Sequence, residues 1–357
     1  MWIFRHLITL VAEHTTPVGR FLWAVLTAIG MSVLFGSAFY FAEREVQEGL
    51  SYLDSLWWAM VTMTTVGYGD YFPQTFAGRF FIAYPCFLLG ISIIGLLLGT
   101  VSEAVIDHFT RKKKGTLRLT MKDHIIIAGC PSVGRVEHIV CELRHSIVNR
   151  ETPIAVVTDT LNELPAEFKS NKVSFVKGNI RNPEVAARAA WTEAKDIIVI
   201  GDEETPGDFD VYTTASYLKN LLPAESKLQI LSYIEEADSV DLFKKAGLRY
   251  VWSEGMPDRL MAQDLNQPGI NEVFRQLLSY RNGCEIYLRA YRGKESKVLA
   301  LQHQALDSPH DLQIIGIQSG EEYDLNPNKD RLVSPGDTLI FLADNSLACE
   351  SFLSATS

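Results

Sequence analysis

The cysteines follow no pattern. Five of them (Cys86, Cys130, Cys141, Cys284 and Cys349) are scattered through 357 residues, with no CxxC and no regular spacing. That excludes a disulfide framework and a thiolate zinc site, and it points to reducing surroundings. The eight histidines form no HxxxH pair. No basic stripe interleaved with aromatics occurs, and a net charge of −10 is a poor match to nucleic acid. Charge is also scarce before about residue 110, whereas long apolar runs are lacking after it. A membrane part joined to a soluble part accounts for this asymmetry better than one domain.

Phe21 to Phe41, FLWAVLTAIGMSVLFGSAFYF, carries no charge. As a helix it is about 30 Å long, the thickness of the hydrocarbon core. A second apolar run spans Phe80 to Ile106, with Glu103 as its one residue charged at neutral pH. The stretch Met1–Arg20 is too long and too polar for a signal-peptide n-region. It reads as a cytoplasmic or interfacial segment with Trp2, Phe4 and Leu7 toward lipid. Arg111-Lys112-Lys113-Lys114 follows the second span directly, and the inter-span segment is rich in Glu and Asp. The positive-inside rule then places both termini in the cytoplasm.

Between the spans, Tyr52 to Thr65 is apolar but too short to cross, the length of a re-entrant helix. Irregular backbone at that depth is tolerated where it lines a water-filled path. Here it begins Thr65-Val66-Gly67-Tyr68-Gly69-Asp70. Rings of backbone carbonyls from four TVGYG loops replace the hydration shell of a potassium ion. Gly67 and Gly69 allow the alternating backbone that aims those carbonyls at one axis. Val66 and Tyr68 would pack behind the axis, and the Thr65 hydroxyl would be the innermost ligand. The bland alternative is a Gly-Tyr-Gly turn in an ordinary loop. The six-residue match, set between two spans, argues against it.

From Trp57 to Asp70 the chain resembles the two-span potassium channels. The resemblance implies a homotetramer in a bilayer, the inner membrane of a prokaryote. It implies an aromatic cuff of Trp57, Trp58 and Tyr68, with Asp70 held through the indole N–H of Trp57. Some relatives pair that aspartate with a buried pore-helix glutamate; Val61 stands at the matching position. No Arg-rich repeat precedes the pore, so gating must come from elsewhere. Gly90, mid-span, sits where the family places its hinge, while Gly95 and Gly99 suit close helix packing. Ile94, Leu97, Leu98 and Val101 would narrow the inner mouth. Glu103 and Asp107 share a helical face and would form two acidic rings in a tetramer, or be solvated helix-end carboxylates.

Past a short polar linker, 111–120, strands and helices alternate. Strands are expected at His124–Ala128, Ile154–Thr158, Val173–Lys177, Asp196–Ile200, Leu228–Ile234 and Tyr250–Trp252, with helices such as Val133–Ile147 and Pro183–Ala190. This is a doubly wound parallel sheet. Its first turn is Gly129-Cys130-Pro131-Ser132-Val133-Gly134, and Pro131 replaces the middle glycine of the dinucleotide fingerprint. Asp159 stands where an acid grips a ribose hydroxyl. An adenine nucleotide or NAD(H), or a merely structural turn, both remain open readings.

Lys122–Glu254 resembles the RCK (regulator of potassium conductance) domain, including VKGNIRNPEVAARAAWTEAKDIIVIGD, with Asn179 where relatives usually have Asp. The implied fold is an α-helical pore, two transmembrane helices plus a re-entrant pore helix and filter. It is joined to a cytoplasmic α/β Rossmann-like lobe (121–256), a helical crossover (257–282) and a small α+β C-terminal lobe (283–357). The family's RCK domains pair through the crossover and build an eight-membered gating ring. Each subunit here carries one, so free copies started at Met121 would complete it. Glu235, Glu236, Asp238 and Asp241 cluster after the fifth strand, and Glu203, Glu204, Asp208 and Asp210 after the fourth. They form a calcium site or a solvated acidic rim. The rival readings are a membrane-anchored nucleotide-binding oxidoreductase, for which no catalytic constellation is found, and a regulatory subunit of a transporter.

Overall fold

The computed structural model describes residues 17–202, 207–223, 225–280 and 285–356, in two compact units divided between Lys112 and Lys113. The expected segment with Trp2, Phe4 and Leu7 therefore lies outside the described residues, as do Glu203, Glu204 and Cys284.

The first unit is helical. Helix α1 (Pro17–Glu43) and a second long helix are apolar enough to cross a membrane. Between them α2 (Tyr52–Met63) is opened by Ser51, whose side chain accepts the Asp54 N–H while the Asp54 carboxylate accepts the Ser51 N–H. This reciprocal cap starts a helix too short to span. It ends two residues before the expected Thr65, because Thr65 takes a left-handed φ of 60°. After a π-helical turn (Gly78–Ala83), α3 runs from Tyr84 to Lys113. Most of the basic run is thus helix end rather than linker. The unit's core is small: Phe35, Phe39, Leu50, Trp58, Ala59, Met63, Cys86 and Ile93.

The second unit opens with six parallel strands: β1 (His124–Ala128), β2 (Ile154–Thr158), β3 (Val173–Lys177), β4 (Ala194–Val199), β5 (Gln229–Ile234) and β6 (Arg249–Trp252). Their order is β3-β2-β1-β4-β5-β6. The first three match the sequence reading residue for residue. The Ile, Val and Ala side chains of β1 and β2 are buried on both faces, the pattern of a parallel strand covered by helices on both sides. Those helices are α4 (Val133–His145), α5 (Ala166–Ser170), α6 (Pro183–Arg188), α7 (Asp208–Leu221) and α8 (Val240–Lys245). Two buried clusters, one per sheet face, form around them. Helices α4 and α6 each stop two residues short of expectation. Ser146 leaves the helix in extended backbone, and Ala190 turns left-handed with φ 50°.

The linker is also tighter than expected. Gly115 accepts the Lys177 N–H at 2.9 Å and an Arg188 guanidinium N–H at 3.1 Å, while the Leu119 N–H donates to the Arg188 carbonyl at 2.8 Å. Residues 113–119 therefore lie along the β3 edge instead of hanging as a tether.

Two amphipathic helices follow, α9 (Met256–Asn266) and α10 (Ile270–Leu278), with Met261, Leu265, Val273 and Leu278 exposed. The last lobe has β7 (Glu285–Ala290), β8 (Ser296–Lys297), β9 (Leu312–Ser319), β10 (Glu322–Leu325), β11 (Leu332–Val333) and β12 (Thr338–Ala343). Its four-stranded antiparallel sheet, β10-β9-β12-β7, packs with α11 (Val298–Leu306) and α12 (Ser346–Thr356) around Phe341, Phe352 and Tyr291. The Ser334–Asp337 turn enters β12, and Asp337 accepts the Ser334 N–H at 2.8 Å.

Candidate functional site

Each unit carries one site. In the first, the chain leaves α2 and alternates in hand. Thr65, Gly67 and Gly69 have φ of 60°, 55° and 76°, whereas Val66 and Tyr68 do not enter the positive region. Such alternation turns successive carbonyls toward one side, which an ordinary strand cannot do. Thr65 bears a side chain in a region that disfavours one. It is held there by its N–H to the Thr62 carbonyl at 3.1 Å. The Val61 carbonyl accepts from both Val66 (3.1 Å) and Gly67 (3.3 Å), anchoring the loop to the end of α2.

Behind the loop, the Trp57 indole N–H donates to Asp70 Oδ2 at 2.8 Å. The Trp57 ring lies parallel to Tyr68, with centroids 5.8 Å apart. Trp58 is placed differently from the expected cuff: within one chain it stacks on Phe39 of α1, with centroids 3.8 Å apart. Val61 is buried, so an apolar side chain occupies the place of a second carboxyl.

Glu43 was not singled out by sequence reasoning. Its buried carboxylate accepts the Gln74 N–H (2.9 Å), the Thr75 N–H (3.1 Å) and the Thr75 hydroxyl (2.7 Å). It fixes the segment between the loop and α3 to the end of α1. The available signal was a carboxylate closing an apolar span.

On α3 the allocation of glycines changes. A β-carbon at Gly90 would lie 2.5 Å from Met63 Cα, so this glycine lets α3 approach the end of α2. Gly95 and Gly99, expected to serve packing, face open space within one chain: a β-carbon at either would have nothing within 4 Å. Leu98 and Val101 are exposed, and Ile94 and Leu97 are partly covered. Glu103 pairs with Arg20 of α1 at 3.0 Å, and Asp107 lies 3.9 Å from Arg111. Both expected ring carboxylates thus have cations beside them.

In the second unit, β1 and β4 are neighbours at the point where strand order reverses, so a crevice opens beyond their carboxyl ends. It encloses about 220 Å³, lined in part by Pro131, Arg135, Asp202, Asp208, Tyr233 and Glu235. Gly129 is required: its φ is 101°, and a β-carbon would stand 1.9 Å from the Ile200 carbonyl oxygen. Gly134, by contrast, has open space. Ser132 caps α4 by accepting the Arg135 N–H at 3.2 Å, and Val133 packs on the core.

The Cys130 N–H donates to Asp202 Oδ1 at 2.6 Å, and the Thr158 hydroxyl to the same oxygen at 2.7 Å. Burial pushes the Asp202 carboxyl above the usual carboxylate range against these two hydrogen bonds, and the Asp159 and Asp210 charges add to the rise. Asp159 itself is exposed after β2. Asn179 Oδ1 is engaged by the Arg181 N–H at 2.9 Å, and Arg181 pairs with Asp210 at 2.9 Å.

Glu235, Glu236 and Asp238 do not converge. Among the described residues no three His, Cys, Asp or Glu side chains are grouped to hold a metal ion. Glu235 instead lies 3.5 Å from Arg135, whose guanidinium sits 3.9 Å over the Tyr233 ring. Buried Asp208 accepts the N–H groups of Glu235 (2.8 Å) and Glu236 (2.9 Å). Asp202 and Arg135 escaped sequence reasoning, although Asp202 follows shortly after β4 and Arg135 lies in the first turn of α4.

Comparison with known proteins follows this division. Residues 27–107 match an ion channel family model, residues 120–216 the calcium-activated potassium channel slowpoke-like RCK domain, and residues 254–353 a Castor and Pollux model, part of voltage-gated ion channel. Probable potassium channel protein 2 of Methanocaldococcus jannaschii is 26% identical over 82% of this chain and 85% of its own. The calcium-gated potassium channel TvoK of Thermoplasma volcanium is 25% identical over 96% of each. Among solved structures the GsuK channel aligns with 94% of this chain at 18% identity and a TM-score of 0.45, and this chain covers 60% of that one. The chain is thus an ion-channel module followed by an RCK-like domain, homologous to prokaryotic potassium channels.

Proposed function

We propose that this chain is one subunit of a tetrameric potassium-selective channel of the cell membrane, with both termini cytoplasmic, whose pore is switched by a ligand of the RCK-like unit. The observation that carries it is the alternating hand of Thr65, Gly67 and Gly69, pinned at Val61. Four such loops would supply the carbonyl rings that K⁺ exchanges for water. The exposed Met261, Leu265, Val273 and Leu278 support pairing of the soluble units through α9 and α10.

A ligand moves the gate only by binding one ring conformation better than the other. The linker bonds at Gly115 would pass that preference into α3, which would splay at Gly90 and part Ile94, Leu97, Leu98 and Val101. Regulation by calcium is supported by the calcium-gated relative. The acids beyond β4 and β5 would supply it, although no three-carboxylate set is grouped among the described residues. Regulation by an adenine nucleotide or NAD(H) is supported by the strand order, which opens a crevice beyond the carboxyl ends of β1 and β4. Free RCK copies started at Met121 would complete an eight-membered ring. No chemical conversion of the ligand is part of this reading.

The test is flux from liposomes holding the purified full chain, with Ca²⁺, ADP, ATP, NAD or NADH added to the cytoplasmic side. Potassium should pass and sodium should not. Gly67→Ala and Gly69→Ala should abolish selective flux. Equal sodium passage, or unchanged selectivity in both variants, overturns the reading.

A further inference from the structure

A dinucleotide turn binds pyrophosphate through main-chain N–H groups that the ligand must reach directly. Here the two positions after the leading glycine withhold them. Pro131 stands where the middle glycine would be and has no N–H at all. The N–H beside it, on Cys130, already points at a carboxylate oxygen of Asp202 at 2.6 Å. The Thr158 hydroxyl, at the end of β2, holds that same oxygen at 2.7 Å. Asp202 therefore spans the ends of β1, β2 and β4. An acidic side chain occupies the seat that a phosphate takes in a nucleotide-binding relative of this fold. Asp159 and Asp210 add negative charge around it, and Asp208 and Glu235 line the same crevice; Arg135 lies 3.5 Å from Glu235, and Arg181 pairs with Asp210 at 2.9 Å.

We propose that Asp202 is a built-in occupant of the phosphate seat and sets ligand specificity by rejecting phosphate groups from the Gly129 turn. The inference deepens the ligand-gated reading and rests on it. Its consequence is chemical. The wild-type crevice discriminates against diphosphates and in favour of ligands that present an uncharged or cationic group to Asp202. A phosphate-bearing ligand must displace the carboxylate from Cys130, and it meets the remaining acids when it does.

Calorimetry on the detergent-solubilised full chain, with ADP and adenosine as probes, separates the phosphate from the nucleoside. Asp202→Asn keeps the shape and removes the charge, and Asp202→Ala also empties the seat. Both should raise ADP affinity by about tenfold or more, equivalent to about 1.4 kcal/mol. Adenosine affinity should change by less than about twofold on the same scale. Thermal melts of both variants verify folding. If ADP gains no more than adenosine, the assignment of Asp202 is overturned. Failure to bind either probe in any protein overturns it together with the nucleotide arm of the regulatory reading. Potassium flux from the same preparations reports separately on the channel itself.

Discussion

Gly78 is fitted to the Glu43 carboxylate: a β-carbon at that glycine would stand 2.0 Å from Oε1. The first residues of the second long helix therefore pack directly on a carboxylate that collects donors from Gln74 and Thr75. Glu43→Ala leaves those buried donors unpaired, at about 1–3 kcal/mol each. Gly78→Ala forces the carboxylate away and should act in the same direction. Both variants should lower the melting temperature of the purified assembly, with Glu43→Gln milder. An unchanged melt for Glu43→Ala would show that this anchor does not hold the segment.

Trp57→Phe retains the ring facing Tyr68 and deletes the N–H that reaches Asp70 at 2.8 Å. A hydrogen bond to a charged group contributes about 1.5–3 kcal/mol. Without it the outer end of the TVGYG loop loses its tie to α2. Flux should decay faster after exposure to potassium-free solution, with single-channel recording as the measurement. Decay at the wild-type rate would show that the bond does not hold the loop.

Arg20 and Glu103 join the start of α1 to the later turns of α3 at 3.0 Å, and Glu103 is half exposed. Solvent screening limits such a pair to about 0.2–1 kcal/mol. Arg20→Gln and Glu103→Gln should shift open probability the same way, and the double variant should add little to either. Additive shifts would mean the two side chains act independently, with Glu103 serving as a free entrance charge.

Arg188 donates to the carbonyls of Gly115 and Lys177 at 3.1 and 2.8 Å, locking the linker to the β3 edge. At Gly115 itself φ is 66°, and a β-carbon would meet the Lys177 nitrogen at 2.6 Å. Arg188→Ala and Gly115→Ala should leave ligand binding unchanged while reducing the ligand-driven change in the open-to-closed ratio by about tenfold, about 1.4 kcal/mol. Parallel calorimetry and bilayer recording make the distinction. Full gating in both variants would mean force travels by another route.

His124 begins β1 fully buried, with Nε2 at 3.0 Å from the Ala189 carbonyl oxygen. Burial holds its pKa below the ordinary 6.5, despite the opposing pull of Ala189, Asp123 and Glu193. The folded lobe keeps the ring neutral while the unfolded chain takes up a proton. Its contribution to stability is therefore complete above pH 6.5 and is lost as the pH falls below that value. Melts recorded between pH 7.5 and about 5.5 should show the loss in wild type and less of it in His124→Asn. An equal acid sensitivity in both would assign it to other groups.

Much of this was legible along the chain because the signals are local. Span length, the TVGYG string and the strands at 124–128, 154–158 and 173–177 need only neighbouring residues to be read. The Trp57–Asp70 bond followed from the resemblance alone. What escaped reading depends on distant segments meeting. Asp202 reaches Cys130 across 72 positions, and Arg20 reaches Glu103 across 83. Nothing in the surroundings of Gly90 along the chain reveals the end of α2 packed against it.

The sequence by itself determined a pore loop between two spans and a parallel sheet after them, since hydrophobic period and glycine placement act over a few residues. Only the tertiary structure decided which carboxylate each amide receives: Asp202 for the first turn, Glu43 for the segment before α3, Asp208 for the end of β5. A buried N–H must find an acceptor, but any nearby acid satisfies that demand, and the fold alone brings one within reach.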